Sequence, residues 1–171
     1  QRFTYDHDGR TTFASYPGTS DALSTGIWTH YDALGRPTSV SQDSEHGLLV
    51  STTEYLSGFQ TRSTNPRGLQ TTAAYQAYDQ PTTDMPVTIT HPEGAYTDIV
   101  RDAHGKPSLL VRRNASNSQR VERHYVYDTY QQLCKAIEPE TGATVMDYDA
   151  AGNLAWSAAG LTGGSYGTTR S

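Results

Sequence analysis
The residues of this chain that could do chemistry are carboxylates, one serine and a scatter of imidazoles. Asp6 and Asp8 stand two apart. A pair of acids, one protonated and one ionised, is the equipment of a glycosidase. Further aspartates follow at Asp32, Asp79, Asp102, Asp128 and Asp149. Gly163-Gly164-Ser165-Tyr166-Gly167 fits Gly-x-Ser-x-Gly letter for letter, the elbow that exposes a nucleophilic serine in hydrolases. Six histidines, at 7, 30, 46, 91, 104 and 124, offer metal ligands, and Cys134 is the one thiol.

Spacing argues against each of these chemistries. Asp6 and Asp8 lie across a turn signal, which turn chemistry explains better than glycosidase geometry. The serine motif lies near the chain end in a Gly-rich stretch, without the strand before and helix after that an elbow needs. No histidine sits at ligand spacing from another histidine or from Cys134, so no metal site and no cofactor are expected. Cys134 falls in Leu133-Cys134-Lys135-Ala136-Ile137, a strand pattern in which a small inert side chain is the expectation.

The aspartates belong to a larger unit. Tyr5-Asp6-His7-Asp8-Gly9-Arg10, Tyr31-Asp32-Ala33-Leu34-Gly35-Arg36 and Tyr148-Asp149-Ala150-Ala151-Gly152-Asn153 are full copies of Tyr-Asp-x-x-Gly. Arg101-Asp102-Ala103-His104-Gly105-Lys106 lacks only the Tyr. Tyr78-Asp79-Gln80-Pro81 and Tyr127-Asp128-Thr129-Tyr130 are eroded, and Tyr55-Leu56-Ser57-Gly58 has lost the Asp. The Tyr slots 5, 31, 55, 78, 101, 127 and 148 step by 26, 24, 23, 23, 26 and 21. A drifting period in the twenties is the mark of a repeat architecture.

Asp-x-x-Gly predicts a tight turn. The Asp oxygen accepts backbone N–H groups further on, and the Gly takes positive φ. The predicted structural turn residues are Asp6 with Gly9, Asp32 with Gly35, Asp102 with Gly105, and Asp149 with Gly152. Pro66-Arg67-Gly68, Pro92-Glu93-Gly94 and Pro139-Glu140-Thr141-Gly142 form a second set of turns, with Tyr16-Pro17-Gly18 a further candidate. Reversals therefore fall about every ten residues. Between them run β-type stretches such as Val121-Glu122-Arg123-His124-Tyr125-Val126-Tyr127, with Val121, Tyr125 and Tyr127 on one face. No apolar stripe of helical period occurs. The expected fold is all-β, two strands and two turns per repeat, with residues 1–159 forming about seven degenerate repeats and residues 160–171 a Gly-rich tail or loop.

Composition sets limits. Of 171 residues only 35% are hydrophobic, and the mean hydropathy is -0.66. A one-layer strip with one face in water and Tyr on the other suits that composition better than a thick core. Such a repeat is stabilised chiefly by its neighbours. The chain opens on Gln1-Arg2-Phe3-Thr4-Tyr5, already inside a repeat and without Met, so a piece of a longer protein is expected. The net charge of -5 argues against nucleic-acid binding, which uses a basic footprint. Arg112, Arg113, Arg120 and Arg123 bracket a polar loop and read as a solvated hairpin end. One cysteine excludes an internal disulfide framework. No run reaches the ~18 apolar residues of a membrane-spanning helix, and no signal-peptide pattern is visible.

The pattern Tyr-x-Tyr-Asp-x-x-Gly-Arg-Leu, met in pieces at Tyr125-Val126-Tyr127-Asp128, at Tyr31 to Arg36 and at Tyr148 to Leu154, resembles the signature of the RHS or YD-repeat family. The likeness runs from Phe3 to about Ala159. Residues 127–160 also resemble the repeats of RHS toxins delivered by bacterial type VI secretion systems. The resemblance implies a β-strip wound into a spiral, closed as a hollow shell around a C-terminal toxin domain, with this chain forming one band of the wall. It implies as partners the remaining repeats of the same protein, the enclosed toxin domain, and a secretion-system spike or chaperone. It implies manufacture in the bacterial cytoplasm and delivery outside it. Some family members carry an aspartyl self-cleavage centre with an Asp-Pro-x-Gly pattern. No Asp-Pro pair occurs here, so no protease residue is carried over and this segment is expected to be non-catalytic. The rival readings are an extracellular adhesion or glycan-binding module, with Trp28 or Trp156 stacking on sugars, and a hydrolase using Asp6 and Asp8 or Ser165.

Overall fold
The computed structural model describes residues 1–19, 24–77 and 82–161, with only the backbone of Leu161. The chain divides into two compact units, Gln1–Ala74 and Tyr75–Ser171. Among the described residues every element is a β-strand and none is a helix. The first unit holds β1 (Phe3–Tyr5), β2 (Thr11–Ser15), β3 (Gly26–Tyr31), β4 (Pro37–Ser44), β5 (Gly47–Leu56), β6 (Gln60–Thr64) and β7 (Gln70–Tyr75). Each pairs antiparallel with its sequence neighbour. The second unit repeats the scheme with β8 (Pro86–Thr90), β9 (Ala95–Arg101), β10 (Pro107–Asn114), β11 (Arg120–Tyr127), β12 (Leu133–Glu138), β13 (Gly142–Tyr148) and β14 (Leu154–Leu161). β14 takes in Gly160 and Leu161, which the sequence assigned to the Gly-rich tail. Ser165 and its motif lie outside the described residues.

Each Tyr-Asp turn adds a bulge to its hairpin. The pairing register shifts at Thr4/Tyr5, His30/Tyr31, Val126/Tyr127 and Asp147/Tyr148. An extra residue in a type I turn that closes on a left-handed position does this, because two residues on one strand face one on the other. The residue left over is the second of the outgoing strand, Thr12, Thr38, Cys134 or Ala155, while each Tyr slot stays paired with that strand's first residue. Gly26 has a different task. A Cβ there would lie 2.2 Å from the Ala14 carbonyl oxygen, so only glycine lets β2 and β3 come this close.

Burial is shallow. The buried apolar side chains are Phe13 in the first unit and Val111, Val126, Cys134 and Ala143 in the second. Phe13 lies against Trp28 with ring centroids 4.8 Å apart. Phe3, Leu34, Leu48, Phe59, Tyr130, Leu154 and Trp156 are all exposed. The expected division into one wet and one covered face is not clean. Cys134 and Lys135 are consecutive on β12 and both buried, yet consecutive strand residues point to opposite faces. Long side chains lying flat across neighbouring strands cover apolar and polar faces alike. Arg113, for instance, lies 4.5 Å over the Tyr96 ring.

So thin a core gives little cooperativity beyond neighbouring hairpins. Circular dichroism of the isolated chain is expected to show β structure with a broad, concentration-dependent loss of signal on heating. A sharp, reversible, concentration-independent transition would contradict this.

Candidate functional site: a ladder of aspartate turns
The Asp turns share one construction. Oδ1 of Asp6 accepts the N–H of Asp8 at 3.0 Å and of Arg10 at 2.9 Å. Oδ1 of Asp32 accepts those of Leu34 and Arg36. Asp102 takes His104 and Lys106, Asp128 takes Tyr130 and Gln132, and Asp149 takes Ala151 and Asn153, all between 2.8 and 2.9 Å. The backbone closes the same loop each time, as in Asp32 N–H to Arg36 O and Gly35 N–H to Asp32 O, both 2.9 Å. Gly9, Gly35, Gly105 and Gly152 have φ of 77°, 79°, 80° and 84°. At Gly35 a side chain meets two obstacles, the left-handed backbone and the Arg10 guanidinium, 2.6 Å from where a Cβ would stand.

The two Pro-containing turns at Asn65 and His91 are the same turn. Asn65 N–H donates to Leu69 O and Gly68 N–H to Asn65 O. Asn65 Oδ1 accepts the N–H groups of Arg67 and Leu69 as an Asp would. His91-Pro92-Glu93-Gly94 keeps the backbone closure, but its imidazole pairs instead with Thr97 Oγ1 at 2.9 Å. Sequence separated these turns from the Asp turns because Pro and Asp look unlike. The Asp slot is filled by Asn65 and His91, one residue before the Pro, and the backbone closes as in the Asp turns.

Position five past the Asp is where neighbouring repeats meet. Tyr31 Oη donates to the Thr11 carbonyl at 2.9 Å, Tyr55 to Pro37 at 3.0 Å, Tyr127 to Pro107 at 3.0 Å and Tyr148 to Leu133 at 2.9 Å. Each acceptor is the first residue of the strand leaving the previous turn. Arg101, in a Tyr slot, does the same with its guanidinium, reaching Pro86 at 3.2 Å. In three of the Asp turns the residue four past the Asp is a cation and lies over the next Tyr ring: Arg10 on Tyr31, Arg36 on Tyr55 and Lys106 on Tyr127, at 5.2, 3.9 and 5.0 Å. Lys106 also donates to the Gln131 carbonyl and Gln132 to the Gly152 carbonyl, so this side chain ties one turn to the next. Neither the hydroxyl joint nor the cation slot was singled out from sequence, although Arg10, Arg36 and Lys106 repeat in plain view.

Tyr78 to Pro81 lies outside the described residues. Before it, Gln76 N–H donates to Met85 O, the same kind of backbone closure that Asp makes with its fourth neighbour elsewhere.

The candidate catalytic groups are occupied. Arg10 binds Asp6 Oδ2 through Nε at 2.6 Å and Asp8 Oδ2 through Nη2 at 2.5 Å. Desolvation pushes the Asp6 carboxyl up, but the Arg10 N–H, the Arg10 guanidinium and the Asp8 N–H together hold it below its ordinary range. Arg36 lowers Asp32, first by its side-chain hydrogen bond and then by its backbone N–H. The Asn153 backbone N–H and side chain lower Asp149. A general acid needs the opposite shift. Among the described residues no three His, Cys, Asp or Glu side chains gather as a metal site. No described helix is long and apolar enough to cross a membrane.

The remaining candidates are also engaged. Trp28 is stacked on Phe13, and both border a shallow, open concavity of about 470 Å³ with Arg2, Thr12 and His30 on its walls. Trp156 donates its indole N–H to Asp147 at 3.2 Å. Three arginines of the basic cluster are paired locally: Arg113 holds Asp98 at 2.5 Å, Arg120 holds Glu122 at 2.5 Å and Arg123 holds Glu140 at 2.8 Å. Cys134 is buried, its Sγ 3.4 Å from the Val126 carbonyl.

No family model and no curated protein sequence matches the chain. Among solved structures it is similar to a chain of the Photorhabdus luminescens Tc holotoxin pore carrying a TccC3 mutation, at 12% identity with a TM-score of 0.56, over 81% of this chain and 7% of that one. A crystal structure of TcdB2 with TccC3 is matched at 12% identity over 94% of this chain and 7% of that one, with a TM-score of 0.31, too loose an overlay to argue from. This chain thus spans a small fraction of the proteins it resembles, and the likeness fixes the fold: an all-β array of consecutive antiparallel hairpins.

Two substitutions at the left-handed slot are expected to act in opposite directions. Gly35→Val costs about 1–3 kcal/mol in backbone strain. Gln131 occupies the same slot with φ 65°, so Gln131→Gly gains about 1 kcal/mol after the entropy of the added glycine. Denaturant midpoints of both variants check this.

Acid provides a further check. Asp6, Asp32 and Asp149 are all lowered in the folded chain. Their contribution is complete above the unfolded carboxyl value, near 4, and is lost as pH falls through the lower folded values. The chain is expected to weaken below about pH 4, and Asp32→Asn to make that loss shallower, as read from thermal melts between pH 2 and 7.

Proposed function
We propose that this chain is a non-catalytic stretch of wall in an RHS- or YD-repeat toxin shell, enclosing a C-terminal toxin domain for delivery. The observation that carries the reading is the joint in which a Tyr-slot side chain bonds the strand leaving the previous turn, met five times in the described residues. A joint between successive turns is what a wall requires and a catalytic centre does not. The fold shared with a Tc holotoxin chain supports it. So do aspartates held ionised by their own turns.

The partners on this reading are the remaining repeats, the enclosed toxin, and a secretion-system spike or chaperone of the type VI apparatus. The protein is made in a bacterial cytoplasm and delivered to a target cell. The tyrosine and apolar faces left exposed here, Leu34 and Tyr130 among them, then lie against other repeats or the enclosed chain.

The test pairs toxin release with thermal stability for Asp32→Asn and Asp149→Asn in the parent protein. Asn65 already occupies the Asp slot with the same backbone hydrogen bonds. Asp149→Asn is therefore expected to be mild. Asp32→Asn, which also loses the Arg36 ion pair at 2.6 Å, is expected to melt earlier and release toxin in proportion. A variant that keeps its melting behaviour and loses release points to chemistry at the turn, and would sink the structural reading.

A further inference from the structure
The ladder of turns is not uniform along the chain. In the first unit both Asp turns hand a cation to the next joint, Arg10 over Tyr31 and Arg36 over Tyr55. The succession ends there. Leu56 stands in the slot that Asp6 and Asp32 fill, and its side chain can accept nothing from the turn. Gln60, four past it, brings no charge to the strands that follow.

The turn between β5 and β6 is also built differently. Gly58 and Phe59 are left-handed in succession, with φ of 75° and 55°. Tyr55 pairs with Thr61 and Leu56 with Gln60, without the register shift of the Asp6 and Asp32 turns. Phe59 thus fills the place that Gly9 and Gly35 take elsewhere. A bulky side chain is strained in that conformation. Packing returns little for it, since Phe59 is 52% exposed. Beyond the turn, β6 and residues 70–74 of β7 carry no side chain more apolar than alanine. No described residue from 27 to 96 is buried. The ion pair from β6 to β5, Arg62 to Glu54 at 3.7 Å, lies in water, where such pairs contribute little.

We propose that the β6–β7 hairpin is a local opening unit, which parts from β5 at the Leu56 turn while β1 to β5 stay paired. The bond from Tyr55 to the Pro37 carbonyl and the Arg36 cation on the Tyr55 ring tie β5 to β4. At the far end of the hairpin the Asn65 turn has its full set of hydrogen bonds. The weak point is therefore the attachment to β5 and not the hairpin's own turn. Segments with few buried contacts open at free energies well below that of global unfolding. Opening bares one edge of β5, from Thr52 to Leu56, and an unpaired strand edge is a template for another chain. The proposal rests on turn chemistry and burial and is independent of the enclosure role.

Peptide-resolved hydrogen exchange of the whole chain tests it. After correction for intrinsic rates, the amides of residues 61–64 and 70–74 are expected to exchange at least about tenfold faster than those of β3–β4 and β10–β11. Two substitutions act there in opposite directions. Asn accepts left-handed backbone, as Asn117 does at φ 58°, so Phe59→Asn is expected to slow the exchange about three- to tenfold. Phe59→Ile puts a β-branched side chain at the same φ and is expected to quicken it by a similar factor. Neither changes β3–β4 or β10–β11. Equal exchange in all hairpins overturns the proposal, as does a β6–β7 rate indifferent to Phe59→Asn. Phe59 variants that shift every hairpin alike overturn it too, because the opening is then global.

Discussion
The hydrogen bond from a Tyr-slot side chain to the strand leaving the previous turn is the interaction on which the rest of the structure depends. A single hairpin of this chain cannot bury enough to stand alone, as Phe13, Val111, Val126, Cys134 and Ala143 make up the buried apolar set. Two-stranded hairpins are marginal in water without a further packed face. Here the packed face is replaced by a joint that satisfies one carbonyl and one hydroxyl and stacks a cation on the same ring. Arg36 on Tyr55, at 3.9 Å, shows all its parts together, since Arg36 also holds Asp32 and Tyr55 also reaches Pro37. One side chain therefore completes its own turn and supports the next, which makes local turn chemistry and long-range order the same set of contacts.

That double use explains what was legible in sequence. Turns were legible because their chemistry is local. Asp accepts the N–H groups two and four residues on, the residue three past it takes left-handed φ, and both constraints leave a mark within six letters. The joint was not legible, because its partners are separated by 15 to 20 residues and one of them is a backbone carbonyl, which any residue can supply. Pro37, Pro107, Thr11 and Leu133 share no chemistry except a position. Register is what selects them, and register is a property of the paired strands.

Gln131 shows how letters can fail to mark a slot. Its letter is wrong for the slot, but its backbone adopts φ 65° and the turn forms with the usual bonds to Asp128. Tertiary context has overridden a local preference there, as it does wherever flanking pairs fix the geometry.

Ionised aspartates are the natural result of this construction. A carboxylate that accepts two backbone N–H groups and an arginine or asparagine side chain is stabilised in its charged form. The shifts at Asp6, Asp32 and Asp149 all run downward. Periodic acids in a repeat protein thus look like candidate catalysts in sequence and behave as turn anchors in structure. The feature that separates the two is direction. A catalytic acid is held protonated by burial or by a like charge, whereas these are held ionised by donors that the turn itself supplies. The shifts at Asp6, Asp32 and Asp149 run against the protonated state that a general acid needs, and their cause in each case includes donors of the turn itself.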